Sequence, residues 1–354
     1  MDVGASPVEE IQILAKNRRR ILQAGIVAVF LAGCTTKTVM EDDDAKFKDI
    51  NDEFSKVVKV EPASPPLVSG VVKAPEPTSK PVVAAPAKKL KKARPMTKVQ
   101  GPRMPKIEDT EGFSGRRPLV DPLGVGEQIV MSVDYLNMSA GEVSFTVHDL
   151  KTVNDRRAYP LVLRIKTSKT FSLFYAVDNM ASTYIDYENL VPLTYEAEMK
   201  ESSRLKEVRT FYDWDKNEGQ HWEKTVKKRE PEKKKKIVWS IEPFSQSYLS
   251  TVYYMRMFQL VPGKKLSFYI ADAGKNYTFH AEVLRREKLE TAIGELDTVV
   301  VRPSFESDGA FKASGENLIW FTDDDRKFVV KIEAKIKIGT IVAKIKSIEK
   351  GRRD

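Results

Sequence analysis

The sequence predicts a mainly β domain: a large curved antiparallel sheet or open barrel of 12 or more strands, packed around one main helix and preceded by a disordered tether. Three observations carry this. From Gly126 onward apolar and polar residues alternate in short segments, a single stretch from Phe244 to Phe258 switches to helical spacing, and 12 of the 19 prolines fall between Pro62 and Pro122. Period 2 marks strands with one buried and one wet face, whereas spacings of three and four mark a helix. At about 150 residues per domain, a chain of 354 has room for one large β domain plus segments that build no core. Its 41% hydrophobic and 31% charged residues exclude a multi-span membrane protein and a wholly disordered chain.

The N-terminus reads as an export device. Asn17 to Arg20 (NRRR) is a basic region, Ile21 to Leu31 (ILQAGIVAVFL) an apolar one, and Ala32-Gly33 a small-residue cleavage site before Cys34. Eleven residues rise about 16 Å as a helix, half of a hydrocarbon core of about 30 Å, so the segment suits a cleaved signal better than a permanent span. The run Leu31-Ala32-Gly33-Cys34 resembles a bacterial lipobox, which makes Cys34 the expected lipid attachment site and the new N-terminus. Thr35 is not the aspartate linked in that class to inner-membrane retention, so the outer membrane, facing the periplasm, is the expected location. As the only cysteine, Cys34 also excludes an internal disulfide framework and a thiolate zinc site.

The expected division is a signal peptide over 1–33, the lipidated cysteine and tether over 34–122, and a β domain over 123–350. The tether composition suits extended polyproline-like chain. Its second half, Ala63 to Pro122, carries 12 Lys or Arg against 5 Asp or Glu, a balance that suits a solvated spacer near anionic envelope material. An export signal argues against nucleic acid as the partner of this basic chain.

In the β domain, strands are expected around Ile129–Tyr135, Val143–Val147, Leu161–Ile165, Leu193–Met199, Val208–Trp214, Trp222–Val226 and Ile237–Ile241. Others are expected around Leu266–Ile270, Tyr277–Val283, Leu296–Val300, Leu318–Trp320, Phe328–Ile336 and Ile341–Ile345. Lys233 to Lys236 reads as a hairpin tip, and Asp323 to Asp325 as another. The segment FSQSYLSTVYYMRMF (244–258) predicts a helix of about three turns closed by Pro262-Gly263, with a shorter helical turn near Thr170 to Ala176.

Catalytic motifs are nearly absent. The three histidines, His148, His221 and His280, show no metal-ligand spacing, and His148 and His280 fall on polar strand faces. No phosphate-binding loop, dinucleotide fingerprint or nucleophile elbow occurs. Ser203-Arg204-Leu205-Lys206 matches SxxK but precedes a strand without the accompanying elements. An enzyme, a cofactor and a metal are therefore not expected.

Several phrases in order resemble the bacterial domain of unknown function 3108. They are Gly126-Glu127, Ala140-Gly141-Glu142, Val252-Tyr253-Tyr254-Met255-Arg256, Pro262-Gly263-Lys264, Val301-Arg302-Pro303, Phe311, Ile319-Trp320-Phe321-Thr322-Asp323-Asp324 and Ile338-Gly339-Thr340-Ile341. The resemblance implies an exported, mainly β protein, often a lipoprotein, and supplies no catalytic residues. The expected function is a non-catalytic outer-membrane lipoprotein whose curved sheet binds a lipid-like envelope molecule or a protein partner. Tyr248, Tyr253, Met257 and Trp320 would line the site, with Arg256 and Arg302 meeting an anionic headgroup at its rim, since guanidinium groups match carboxylate and phosphate bidentately. The alternative is a structural envelope protein with a solid core, acting through its anchor and basic tether.

Overall fold

The computed structural model describes residues 47–63, 107–307, 310–312, 317–336 and 338–353. The expected signal peptide and Cys34 lie outside the described residues. The chain opens with α1 (Lys48–Ser55), β1 (Val60–Pro62) and a small hairpin of β2 (Phe113–Ser114) and β3 (Arg117–Pro118). A long meander follows: β4 (Gln128–Tyr135), β5 (Met138–Val147), β6 (Lys151–Val153), β7 (Arg156–Thr167), β8 (Val177–Asp186), β9 (Pro192–Glu201), β10 (Arg204–Asp213), β11 (Glu218–Lys227) and β12 (Lys233–Ser240). After α2 (Tyr248–Met255) come β13 (Lys265–Asp272), β14 (Lys275–Thr291), β15 (Gly294–Ser307), β16 (Ala310–Lys312), β17 (Leu318–Thr322), β18 (Val329–Lys335) and β19 (Thr340–Glu349).

All ladder pairings are antiparallel, and the last strand returns to the first: β19 pairs with β4 through Ile341 opposite Tyr135 and Ala343 opposite Val133. The sheet therefore runs from β12 back through β4, across to β19, and on to β13. Alternation decides its faces, as in β4, where Ile129, Met131, Val133 and Tyr135 are buried and the residues between them are not. A sheet this wide curls rather than staying flat. It does not close, because no ladder joins β12 to β13 among the described residues. Side chains span that seam instead: Asn276 Nδ2 donates to Ser240 O at 2.9 Å, Lys235 Nζ to Ala273 O at 3.2 Å, and Tyr212 Oη to Ala271 O at 3.1 Å.

Gly141, in the Ala-Gly-Glu phrase of β5, answers to one close approach. A Cβ there would lie 2.2 Å from Lys166 O and 2.8 Å from Thr167 Cα on β7. Only glycine lets the two strands meet at that point.

Four expectations need correction. First, the helix is shorter than 244–258. Ser247 is its N-cap in a reciprocal box, with Ser250 N donating to Ser247 Oγ at 3.1 Å and Ser247 N to Ser250 Oγ at 2.7 Å. The residues before it are not helical, with Phe244 at φ 61° and Gln246 bridged to Ile270 of β13. Second, Lys233 to Lys236 are not a hairpin tip but the first half of β12, an edge strand on which lysines deter edge-to-edge pairing. Third, β8 went unexpected because its inward positions include Asn179 and Thr183, so apolar alternation is interrupted.

The fourth correction concerns the tether, parts of which belong to the globule. The Phe47, Ile50 and Phe54 side chains, one from just before α1 and two on it, cover a cluster on the outer side of the sheet with Leu193, Leu205 and Trp222, and β1 pairs with β6. Residues 107–122 reach α2 and the turn after it, where Phe113 packs edge-on against Phe258 with ring centroids 5.3 Å apart. The physical reason lies in α2. Every residue from Leu249 to Met255 is buried, and a helix buried all round needs cover on more than one side.

Candidate functional site

The space between α2 and the sheet is occupied by side chains. Tyr254, Phe258, Phe268 and Phe279 interlock, with Tyr254 edge-on to Phe268 at 5.0 Å and Phe268 against Phe279 at 4.7 Å. Tyr253 packs edge-on to Phe145 of β5 at 6.4 Å. Such aromatic pairs favour edge-on or offset geometry, and together they fill the region where a pocket was expected.

The six candidate lining residues do not share one pocket. Tyr253 and Met257 are buried in the core, and Tyr248 is half-buried against Tyr277 and Phe305, each with ring centroids 6.2 Å away. Trp320, on β17, donates its indole N–H to Glu287 Oε1 at 2.5 Å beneath the Lys331 ammonium. Arg302 is exposed and pairs across strands with Glu282 at 3.1 Å. Arg256 is not at a rim. It is buried and bidentate with Glu127, at 2.6 and 2.9 Å, and donates further to Pro122 O and Arg326 O. Arg326 Nη2 adds a bond to the same Glu127 at 3.1 Å. With its donors already engaged by protein oxygens, Arg256 has little left for a ligand anion.

A second buried polar group ties the leading segment to the helix. Arg116 Nη1 meets Glu108 Oε2 at 2.6 Å, Tyr254 Oη donates to Glu108 Oε1 at 2.6 Å, and Arg116 Nη2 donates to Tyr254 Oη at 3.0 Å. The Arg116 guanidinium also lies 3.9 Å over the Phe244 ring. A cavity of about 60 Å³, lined by Phe47, Asn51, Met199 and Leu205 among others, separates α1 from β9 and β10. It is far below the roughly 300 Å³ at which ligand pockets begin.

Sequence reasoning missed three polar groupings. His221, placed as a lone residue, is buried on β11; its Nδ1 and Thr210 Oγ1 are hydrogen-bonded at 2.9 Å, and its Nε2 lies 3.5 Å from Glu223. Lys206 meets Glu223 at 3.1 Å. Burial raises the Glu223 carboxyl, but the His221 and Lys206 contacts outweigh it and bring the group down to about 2. Nearby, Asp272 at the end of β13 is held above the usual carboxylate range by burial, and its charge helps push up the phenols of Tyr195, Tyr212 and Tyr248, each raised first by its own burial.

The third grouping is Ser267 Oγ to His280 Nδ1 at 2.8 Å and His280 Nε2 to Glu306 Oε2 at 3.2 Å. It has the connectivity of a serine–histidine–carboxylate triad. It lies on adjacent strands β13, β14 and β15, where the β14 peptide groups are engaged by the strands on either side. A signal for this trio exists in the sequence: the two-residue Ala273-Gly274 turn sets Asp272 opposite Lys275 and hence Ser267 opposite His280.

Residues 130–346 match the family described as "Protein of unknown function (DUF3108)". No curated protein matches the chain. Among solved structures, it is similar to a β-barrel-like protein of domain of unknown function DUF1849 from Brucella abortus, at TM-score 0.42 and 9% identity, covering 64% of this chain and 98% of the other. It is also similar to a "putative lipoprotein" from Parabacteroides distasonis, at TM-score 0.29 and 9% identity, covering 65% of this chain and 99% of that one.

Proposed function

The chain belongs to the DUF3108 family, and from that premise we propose that it is a non-catalytic envelope lipoprotein, anchored through Cys34 to the periplasm-facing side of the outer membrane. Its β domain then serves as a solid structural or interaction module rather than a carrier. The filled space between α2 and the sheet carries this choice: interlocked aromatics and the Arg256–Glu127 pair occupy the volume a lipid chain would need. No helix among the described residues is long and apolar enough to cross a membrane, so the proposed attachment is the lipid on Cys34, where two or more acyl chains hold a protein stably.

One purification tests both halves. The full chain, isolated from its own envelope, is weighed intact under native and then denaturing conditions. The expected result is a mass that includes acyl chains on the residue 34 fragment and no further lipid lost on denaturation. An unmodified Cys34 would overturn the anchor, and a stoichiometric lipid released on unfolding would replace the solid module with a carrier.

A further inference from the structure

Of twelve large apolar side chains left exposed among the described residues, five gather at one end of the sheet. Leu136 (53% exposed) and Met138 (48%) flank the β4–β5 turn, Leu173 (57%) and Phe174 (69%) lie in the β7–β8 connection, and Ile338 (64%) lies in the β18–β19 turn. The register places these turns side by side: Tyr135 faces Met138 and Ile341, and Thr167 faces Gly141 three residues further along β5. Contacts link them. Tyr135 Oη donates to Ile338 O at 2.9 Å, a Cβ on Gly339 would lie 2.9 Å from Leu136, and the Tyr135, Phe171 and Phe174 rings follow one another at 6.4 Å spacing.

The patch is costly to keep. Leu136 and Asn137 form the turn at φ 50° and 61°, the left-handed pair that favours Asn, Asp and Gly. The β6–β7 turn uses Asn154 and Asp155 for the same geometry. A branched residue at positive φ, presented to solvent, is unfavourable for folding on both counts, and such outliers persist where function holds them. A contiguous exposed apolar patch on projecting tips, rather than in a groove, suits insertion into a fluid phase.

The exposed charges on these tips and turns that make no ion pair among the described residues are basic; Glu230 and Glu232 of the β11–β12 turn are held by Lys227, Lys233, Lys224 and Lys234. Lys169 and Lys335, beside the tips, are exposed and make no ion pair among the described residues, as are Lys228 and Arg229 in the β11–β12 turn at the same end of the ladder. The carboxylates on the flanking strands, Asp134, Glu142 and Asp178, are already paired with Lys344, Lys346 and Lys166. Apolar tips within a basic surround match a bilayer with anionic headgroups, the apolar groups entering the acyl boundary and the ammonium groups staying at headgroup level.

We propose that this end of the β domain docks on an anionic membrane surface, a second contact that does not depend on Cys34. The test uses the chain from Thr35 onward, which keeps every described element and lacks both the apolar leader and the acylation site. It is floated with vesicles of phosphatidylglycerol and phosphatidylethanolamine, and with phosphatidylcholine alone. The expected result is flotation with the anionic vesicles, weakened by salt, and a loss of roughly tenfold or more in the variant carrying Leu173→Asp and Phe174→Asp. The basic tether is identical in both chains, so it cannot account for the difference. Should that variant fail to fold, Ile338→Asp on a different turn makes the same measurement, and Lys169→Glu with Lys335→Glu should reduce binding to anionic vesicles only. Absence of flotation, or flotation indifferent to the aspartates, overturns the proposal, as does an apolar patch consumed by self-association in solution. None of these outcomes bears on acylation of Cys34.

Discussion

The Tyr253 hydroxyl is buried with no hydrogen-bond partner among the described residues, while its ring packs on Phe145 and beneath the Arg256 guanidinium, 5.6 Å from the ring centre. The two parts of one side chain thus act in opposite directions. Losing the ring should cost about 3–5 kcal/mol, so Tyr253→Ala should strongly lower the urea midpoint. Tyr253→Phe should raise it, by roughly 1 kcal/mol or more, because an unmet buried hydroxyl carries its full desolvation cost. Equal destabilisation by both variants would mean that the hydroxyl has a partner. The ring's burial was legible in the spacing of apolar residues along the helix. The orphaned hydroxyl was not, since a hydrogen-bond partner comes from elsewhere in the fold.

At the scale of elements, the leading segment and the edge strands decide how the sheet is finished. The segment carrying α1 and β1 places Phe47, Ile50 and Phe54 on the outer face of β10 and β11, with Trp222 Nε1 donating to Glu53 at 2.9 Å. Removing the segment exposes that apolar surface and also releases the segment from being ordered, two large opposing terms of which a small difference survives. A chain beginning after Ala63 should therefore remain folded but lose roughly 1–3 kcal/mol, with Trp222 emission shifted to the red. An unchanged denaturation midpoint would show that α1 rests on the sheet without stabilising it. Period reading found nearly every long strand because each carries its own alternation. It passed over α1, whose eight residues give little length for a period to declare itself.

For the molecule as a whole, two carboxyls near the seam between β12 and β13, Asp272 and Glu223, respond to pH with opposite signs. Asp272 is raised above its usual value of 3.8 by burial, with the Glu223 charge adding to this and His221, Lys206 and Lys235 opposing it. A raised carboxyl contributes stability when protonated, below the unfolded value, and that contribution is lost as pH rises through the folded value. At neutral pH the charged Asp272 is therefore a burden. Asp272→Asn should raise the melting temperature at pH 7, with the gain vanishing as pH falls below 3.8. Glu223 has the opposite sign: its depressed value stabilises above the ordinary glutamate range and is lost toward about 2. Melting curves across acidic pH separate the two, and a gain in the Asn variant that persists at the lowest pH would assign the effect to something other than ionisation.

The sequence by itself determined the β class, the position of the main helix and the pleated face of nearly every long strand. These are local properties, written within a turn or a strand by spacings of two, three and four. Only the tertiary structure decided whether the space under the helix is pocket or core, and it decided through partners far apart in the chain. Arg256, expected at a rim because a guanidinium suits an anionic headgroup, is bound to Glu127, 129 residues away. Glu108 and Arg116, read as tether, reach Tyr254 more than a hundred residues on. A charge looks the same in sequence whether it meets water or a buried carboxylate. Which of the two it meets is set by the register of strands that return around the sheet to the place where they began.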